Sequence, residues 1–222
     1  MNKKIKAWYF APPGKKLGYG DNRKIVVGRT HKVRFPFTDA NGLVWGNPSC
    51  CHAGLHASIN PRDALKYARS SLVYRVELSG AMDVASHKIA ATERTYLWGY
   101  DAEPVLRKFA RMCALDVIHL WDAPDVVVYY LKTGDESLNA SAEAAVRDTA
   151  CTATGAAAWA AVRAAVRSDA GADAWTATCA AAEAAVRAAV RSDAGADAGA
   201  AAEEKQNRRL YRMLMEGRAA NV

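Results

Sequence analysis

Cys50, Cys51, His52 and His56 are the densest gathering of nucleophilic and metal-ligating side chains in the sequence. Two cysteines and two histidines are a donor set for four-coordinate zinc. Adjacent cysteines, however, lack the usual spacer of about two to four residues. If the segment is extended, His52 and His56 share a face but stand about 13 Å apart at roughly 3.3 Å per residue, too far for one ion. No metal is expected. Cys51 and His56 also have the chemistry of a thiol nucleophile and its base. The sequence places no orienting third group and no oxyanion site beside them, so no catalytic residue is assigned. Buried structural roles are the preferred reading, with His52 and His56 kept as binding candidates.

A second group is basic and aromatic. Gly14-Lys15-Lys16-Leu17-Gly18-Tyr19-Gly20 loosely resembles a phosphate-cradling loop but lacks the Gly-Lys-Ser/Thr ending. It reads better as a basic hairpin that holds anions without specificity. Trp8, Tyr9 and Tyr19 lie among these lysines and could stack bases as single-strand binders do, although aromatic residues on a strand are more often core. The net charge is +7, and residues 1–40 hold ten Lys or Arg against Asp21 and Asp39. Such a face attracts nucleic acid or another anionic partner; the plain alternative is a lysine-rich soluble surface. Lys15, Lys16, Arg23, Trp8 and Tyr19 are the binding candidates here.

The elements that must position these residues are legible in outline. Trp8-Tyr9-Phe10 predicts a strand stopped by Pro12-Pro13-Gly14. Lys24–Gly28 predicts a second, and Cys51–Ser58 is strand-like. Asn60-Pro61 predicts a helix start that runs through Ala68. Residues 72–78 alternate apolar and polar, the period of a half-buried strand. Residues 101–115 predict an amphipathic helix, and 117–121 is ambiguous between strand and helix. Another helix follows Pro124 and ends at Thr133-Gly134, with Asp135 capping what comes next.

Beyond Asp135 alanine dominates. The 14 residues Ala161–Ala174 recur unchanged as Ala185–Ala198. In one continuous helix the 24-residue offset leaves the copies about 240° apart at roughly 100° per residue, which defeats a shared packing face. Ser-Asp-Ala-Gly in each copy supplies cap residues and a helix-weakening glycine. Short antiparallel helices are therefore expected, with Val162/Val166 and Val186/Val190 as thin apolar stripes and Trp159 and Trp175 as anchors. Residues 203–216 predict a last amphipathic helix capping the array. The fold class expected is an α+β N-terminal domain, residues 1–134, followed by an all-α, Ala-rich helical repeat or bundle, residues 135–222.

Five cysteines without regular spacing argue against a secreted disulfide scaffold. No apolar run approaches the roughly 18 residues that span a bilayer. A soluble cytoplasmic protein with no membrane partner is expected, and the helical region offers a surface for homo-oligomers.

Cys51–Ser58, Asp63–Ala68, Val76–Gly80, Phe109-Ala110-Arg111, Cys113-Ala114 and Tyr130–Ser137 together resemble an uncharacterised domain of phage and prophage proteins, typically followed by alanine-rich, tryptophan-punctuated helices. The resemblance implies a viral origin and transfers no activity. A more distant one concerns order alone. A Gly-Leu-His-Ala-Ser strand, an Ala-x-x-Tyr-Ala helix and a strand like Tyr74–Leu78 are similar to the core of ADP-ribosyltransferases. That implies Tyr67 against nicotinamide. The early His or Arg of that family has no match, and its late glutamate is unassigned, with Glu93 and Glu103 available.

The leading expectation is a non-catalytic phage-type protein in the host cytoplasm. It would bind a host protein or a small anionic or nucleotide ligand, in a counter-defence role, and needs no cofactor. The alternatives are an NAD-using ADP-ribosyltransferase-like enzyme and a nucleic-acid-binding protein using the basic N-terminal region.

Overall fold

The structure, a computed structural model, describes residues 3–18, 21–39, 41–149, 155–168, 174–192 and 196–221. A sheet-rich N-terminal region precedes a helical C-terminal region. The chain separates into two compact units, one running to Asp101 and the other spanning Ala102–Ala220.

The first unit contains β1 (Ile5–Phe10), β2 (Thr30–Lys32), β3 (Phe37–Thr38), β4 (Val44–Trp45), β5 (Leu55–Ala57), α1 (Pro61–Leu65), β6 (Leu72–Val84) and β7 (Ile89–Asp101). Its main sheet is antiparallel with order β1-β6-β7-β2, and β5 also pairs with β7. β3 and β4 form a separate ribbon. Alternation explains the core. Tyr74, Val76 and Leu78 of β6 are buried with Ala7 of β1 and Ala91 and Tyr96 of β7, as expected of strands that bury one face. Gly99 lies under the Tyr74 ring, where an added Cβ would come 2.3 Å from a ring carbon. Only glycine allows that approach.

Three expected elements change. Lys24–Gly28 is not a strand: Gly28 turns the chain at φ +83, and Val26 and Val27 are 44% and 52% exposed. Cys51–Ser58 is a strand only at β5, because Cys51 has φ +75 and the Ser49–Ala53 bridge closes a turn. The helix after Asn60 stops at Leu65, and the Asn60 side chain donates to Asp63 instead of capping. β7 was not anticipated at all. Its centre carries Glu93 and Arg94, which interrupt the apolar pattern; β2 receives Glu93 through Lys32.

Arg94 is a charge driven into this core, at 2% exposure. Its Nε and Nη2 donate to the Tyr96 hydroxyl at 3.1 and 2.8 Å, and its Nη1 donates to the His56 carbonyl of β5. Its guanidinium lies 3.7 Å from the Tyr9 ring centroid. Buried cations survive when donors and ring faces are satisfied in this way.

The second unit is α2 (Glu103–Val117), α3 (Asp125–Thr133), α4 (Asn139–Asp148), α5 (Ala156–Ser168), α6 (Ala174–Ser192) and α7 (Ala196–Ala220), with short 3₁₀ turns after α2 and α3. The ambiguous 117–121 segment resolves into the first of these turns. α3 ends with Gly134 at φ +68, its N–H donating to Tyr130 at 2.7 Å, the left-handed cap that glycine supplies. Asp135 caps the next turn through Ser137. The first copy of the repeat contributes its Val-Arg half to α5 and the second copy to α6. The Ser-Asp-Ala-Gly turns fall mostly outside the described residues. Leu106 and Phe109 of α2 are buried and supply large side chains of the kind the alanine helices lack. No described helix is long and apolar enough to cross a membrane.

Candidate functional site

Three segments of the first unit meet at one end of the β6–β7 hairpin: the turn around Cys51, Tyr67 just after α1, and the hairpin turn carrying His87 and Lys88. A Ser49–Ala53 bridge and a His52 N–H bond to Ser49 O at 3.1 Å shape the first turn. The left-handed backbone at Cys51 leaves its side chain exposed. A non-glycine residue in that region marks local strain, which concentrates at functional sites.

Cys50 points the other way. Its backbone N–H donates to Asp83 Oδ2 at 2.7 Å and its thiol donates to the carbonyls of Asp83 and Lys88 at 3.4 and 3.5 Å. Burial and the Asp83 charge push the Cys50 thiol upward in pKa. The two adjacent cysteines thus divide, one anchoring the turn and the other facing solvent.

Lys88 is 8% exposed. Its Nζ lies 4.1 Å from the Tyr67 ring centroid and interacts with the Cys51 thiol. Burial disfavours the ammonium, but Cys51 and the Tyr67 phenol outweigh it and hold the group above the ordinary lysine value. Among the described residues no carboxylate forms an ion pair with it. Tyr67 is 45% exposed, and His87 lies almost parallel to its ring at 6.2 Å and 8°. A second flat pair flanks the turn: His52 stacks on Trp45 at 4.7 Å, and Trp45 Nε1 donates to Asp39 at 3.1 Å.

His56 is held by β5, with Nε2 at 3.3 Å from Ser49 O. Burial and then the Lys88 charge depress its pKa, which keeps the ring neutral. Of the sequence candidates, then, His52, His56 and Tyr67 converge on this region. Trp8 is fully buried, edge-on to Trp98 and beneath Arg75. Lys15 and Lys16 are exposed, while Arg23 is tied to Asp21 at 2.6 Å and to the Lys32 carbonyl. These three share no hydrogen bond, ion pair or ring contact with the Lys88 group. Tyr19 lies outside the described residues. His87 and Lys88 escaped the sequence reading because an isolated His-Lys pair has no spacing signature. Among the described residues no three His, Cys, Asp or Glu side chains gather to hold a metal.

Residues 30–108 match the model of a domain of unknown function (DUF7666). The whole Lys88 group lies inside that stretch. No curated protein and no solved structure matches the chain.

Proposed function

We propose that the protein is a non-catalytic binding module of phage type, acting in the host cytoplasm against host defence, whose ligand is a small anion of the nucleotide class held at Lys88 and Tyr67. One observation carries this reading. Lys88 is an ammonium withdrawn from water with a thiol and a phenol ring beside it and, among the described residues, no ion-paired carboxylate. The thiol and the ring hold the ammonium charged in place, and an arriving anion would add a charge-assisted contact to it. Tyr67, His87 and the Trp45–His52 pair offer flat faces for a ring.

The ADP-ribosyltransferase reading fares worse on the same geometry. The nicotinamide ring of NAD is cationic, and an ammonium over Tyr67 opposes it. Glu93 is engaged by Lys32 and Ser79 at 2.8 and 2.9 Å, and Glu103 by Arg107. Incubation of the chain with labelled NAD and host lysate is expected to transfer no label. Transfer that Tyr67→Ala abolishes would overturn the proposal.

A further inference from the structure

A second uncompensated cationic feature lies in the helical unit and is independent of Lys88. An open cleft of about 390 Å³ is lined by Glu143, Val146 and Arg147 of α4 and by Trp159, Arg163, Val166 and Arg167 of α5. That volume lies within the range of small-molecule pockets, about 300–1,000 Å³. Trp159 is fixed in place, its Nε1 donating to the Val146 carbonyl at 3.0 Å. The Arg163 guanidinium stacks 5.1 Å from its ring centroid. Arg147 is paired with Glu143 at 3.5 Å, so the carboxylate in the lining is neutralised. Arg163 and Arg167 have no carboxylate partner among the described residues. Four residues apart on one helix, they project from the same face with Cβ atoms about 5–6 Å apart.

The repeat supplies an internal control. Arg187 occupies in the second copy the place Arg163 has in the first. One turn earlier, the position of Trp159 is taken by Glu183, and Arg187 lies 3.9 Å from that carboxylate. The same arginine is paired with a carboxylate in one copy, and in the other is held over a tryptophan with no carboxylate partner among the described residues. We infer that the α4–α5 cleft is a binding site for a diphosphate group, gripped by the guanidinium forks of Arg163 and Arg167. Planar forks of this kind match phosphoryl oxygens bidentately.

The test is calorimetric titration of the full chain with inorganic pyrophosphate, with ADP as a second arm. Binding of pyrophosphate is expected, weakened about tenfold by Arg163→Met and again by Arg167→Met, the loss of one charge-assisted contact each. Arg163→Lys, which retains the charge, should recover part of the affinity. Arg187→Met should leave it unchanged. ADP binding with the same arginine dependence marks a nucleotide as the source of the diphosphate, and binding of pyrophosphate alone marks the free ion. Absence of pyrophosphate binding, or equal weakening by Arg187→Met, overturns the assignment.

Discussion

Lys88 Nζ sits 4.1 Å from the centroid of the Tyr67 ring, with the Cys51 thiol as its other neighbour. The ammonium should therefore draw anions to Cys51. Alkylation by negatively charged iodoacetate and by neutral iodoacetamide separates this effect from thiol reactivity, which both reagents share. In a Cys50→Ser background, the iodoacetate-to-iodoacetamide rate ratio at Cys51 should fall about fivefold on Lys88→Met, the scale of a partly screened charge worth about 1 kcal/mol. Peptide mass spectrometry reads the ratio; an unchanged ratio would remove Lys88 from the vicinity of the thiol.

Arg94 joins β7 to β5 and satisfies the Tyr96 hydroxyl inside the sheet. Arg94→Met fills much of the volume but removes the donor to the His56 carbonyl and two donors to the Tyr96 phenol, which keeps only His31 among the described residues. The expected cost is about 2–3 kcal/mol, visible as a lower urea midpoint. A midpoint equal to wild type would show that the guanidinium is not bearing those contacts.

His31 and His56 both have depressed pKa values, burial being the first cause in each. Each binds its proton more readily unfolded than folded. Their contribution is complete above the unfolded value of about 6.5 and is lost progressively as pH falls below it. The melting temperature should therefore drop between pH 7.5 and pH 5.5, and His31→Gln should flatten that slope. His31 Nδ1 stands 3.3 Å from the Tyr96 hydroxyl, and Nε2 has no partner among the described residues, so protonation there has nothing to receive it.

In the helical unit, Asp116 of α2 receives Arg209 Nη1 and Nη2 at 2.7 and 3.0 Å and Lys205 Nζ at 3.0 Å from α7. Burial raises its pKa, but the hydrogen bonds from Arg209 and Lys205 outweigh burial and leave it below the ordinary carboxylate value. Asp116→Asn should cost about 1–3 kcal/mol at pH 7. The difference should shrink as pH falls through the native carboxyl's pKa, because the wild-type carboxylate is then protonated. Thermal melts at several pH values test both statements.

Local chemistry was readable wherever a single residue type decides the backbone. Gly134 ends α3 and Pro12-Pro13 follow β1 because their conformational limits do not depend on tertiary context. β7 was not readable, since Arg94 and Glu93 look like surface charges until the Tyr96 hydroxyl of the same strand, a β5 carbonyl and a β2 lysine meet them. The Lys24–Gly28 expectation failed for the converse reason: three adjacent apolar residues resemble a strand, but only Ile25 finds the core. The site shows the same division. His52 and His56 stand out by type and Tyr67 through the ADP-ribosyltransferase resemblance, whereas Lys88 gains its meaning only from the hairpin turn that sets it over Tyr67.

The most direct measurement is the rate of Cys51 alkylation by neutral iodoacetamide, with and without millimolar AMP, ADP or NAD, in the wild type and in Lys88→Met. At least one nucleotide should slow labelling in the wild type and lose that protection in Lys88→Met. Labelling unaffected by all three, or protection that persists without Lys88, would contradict it.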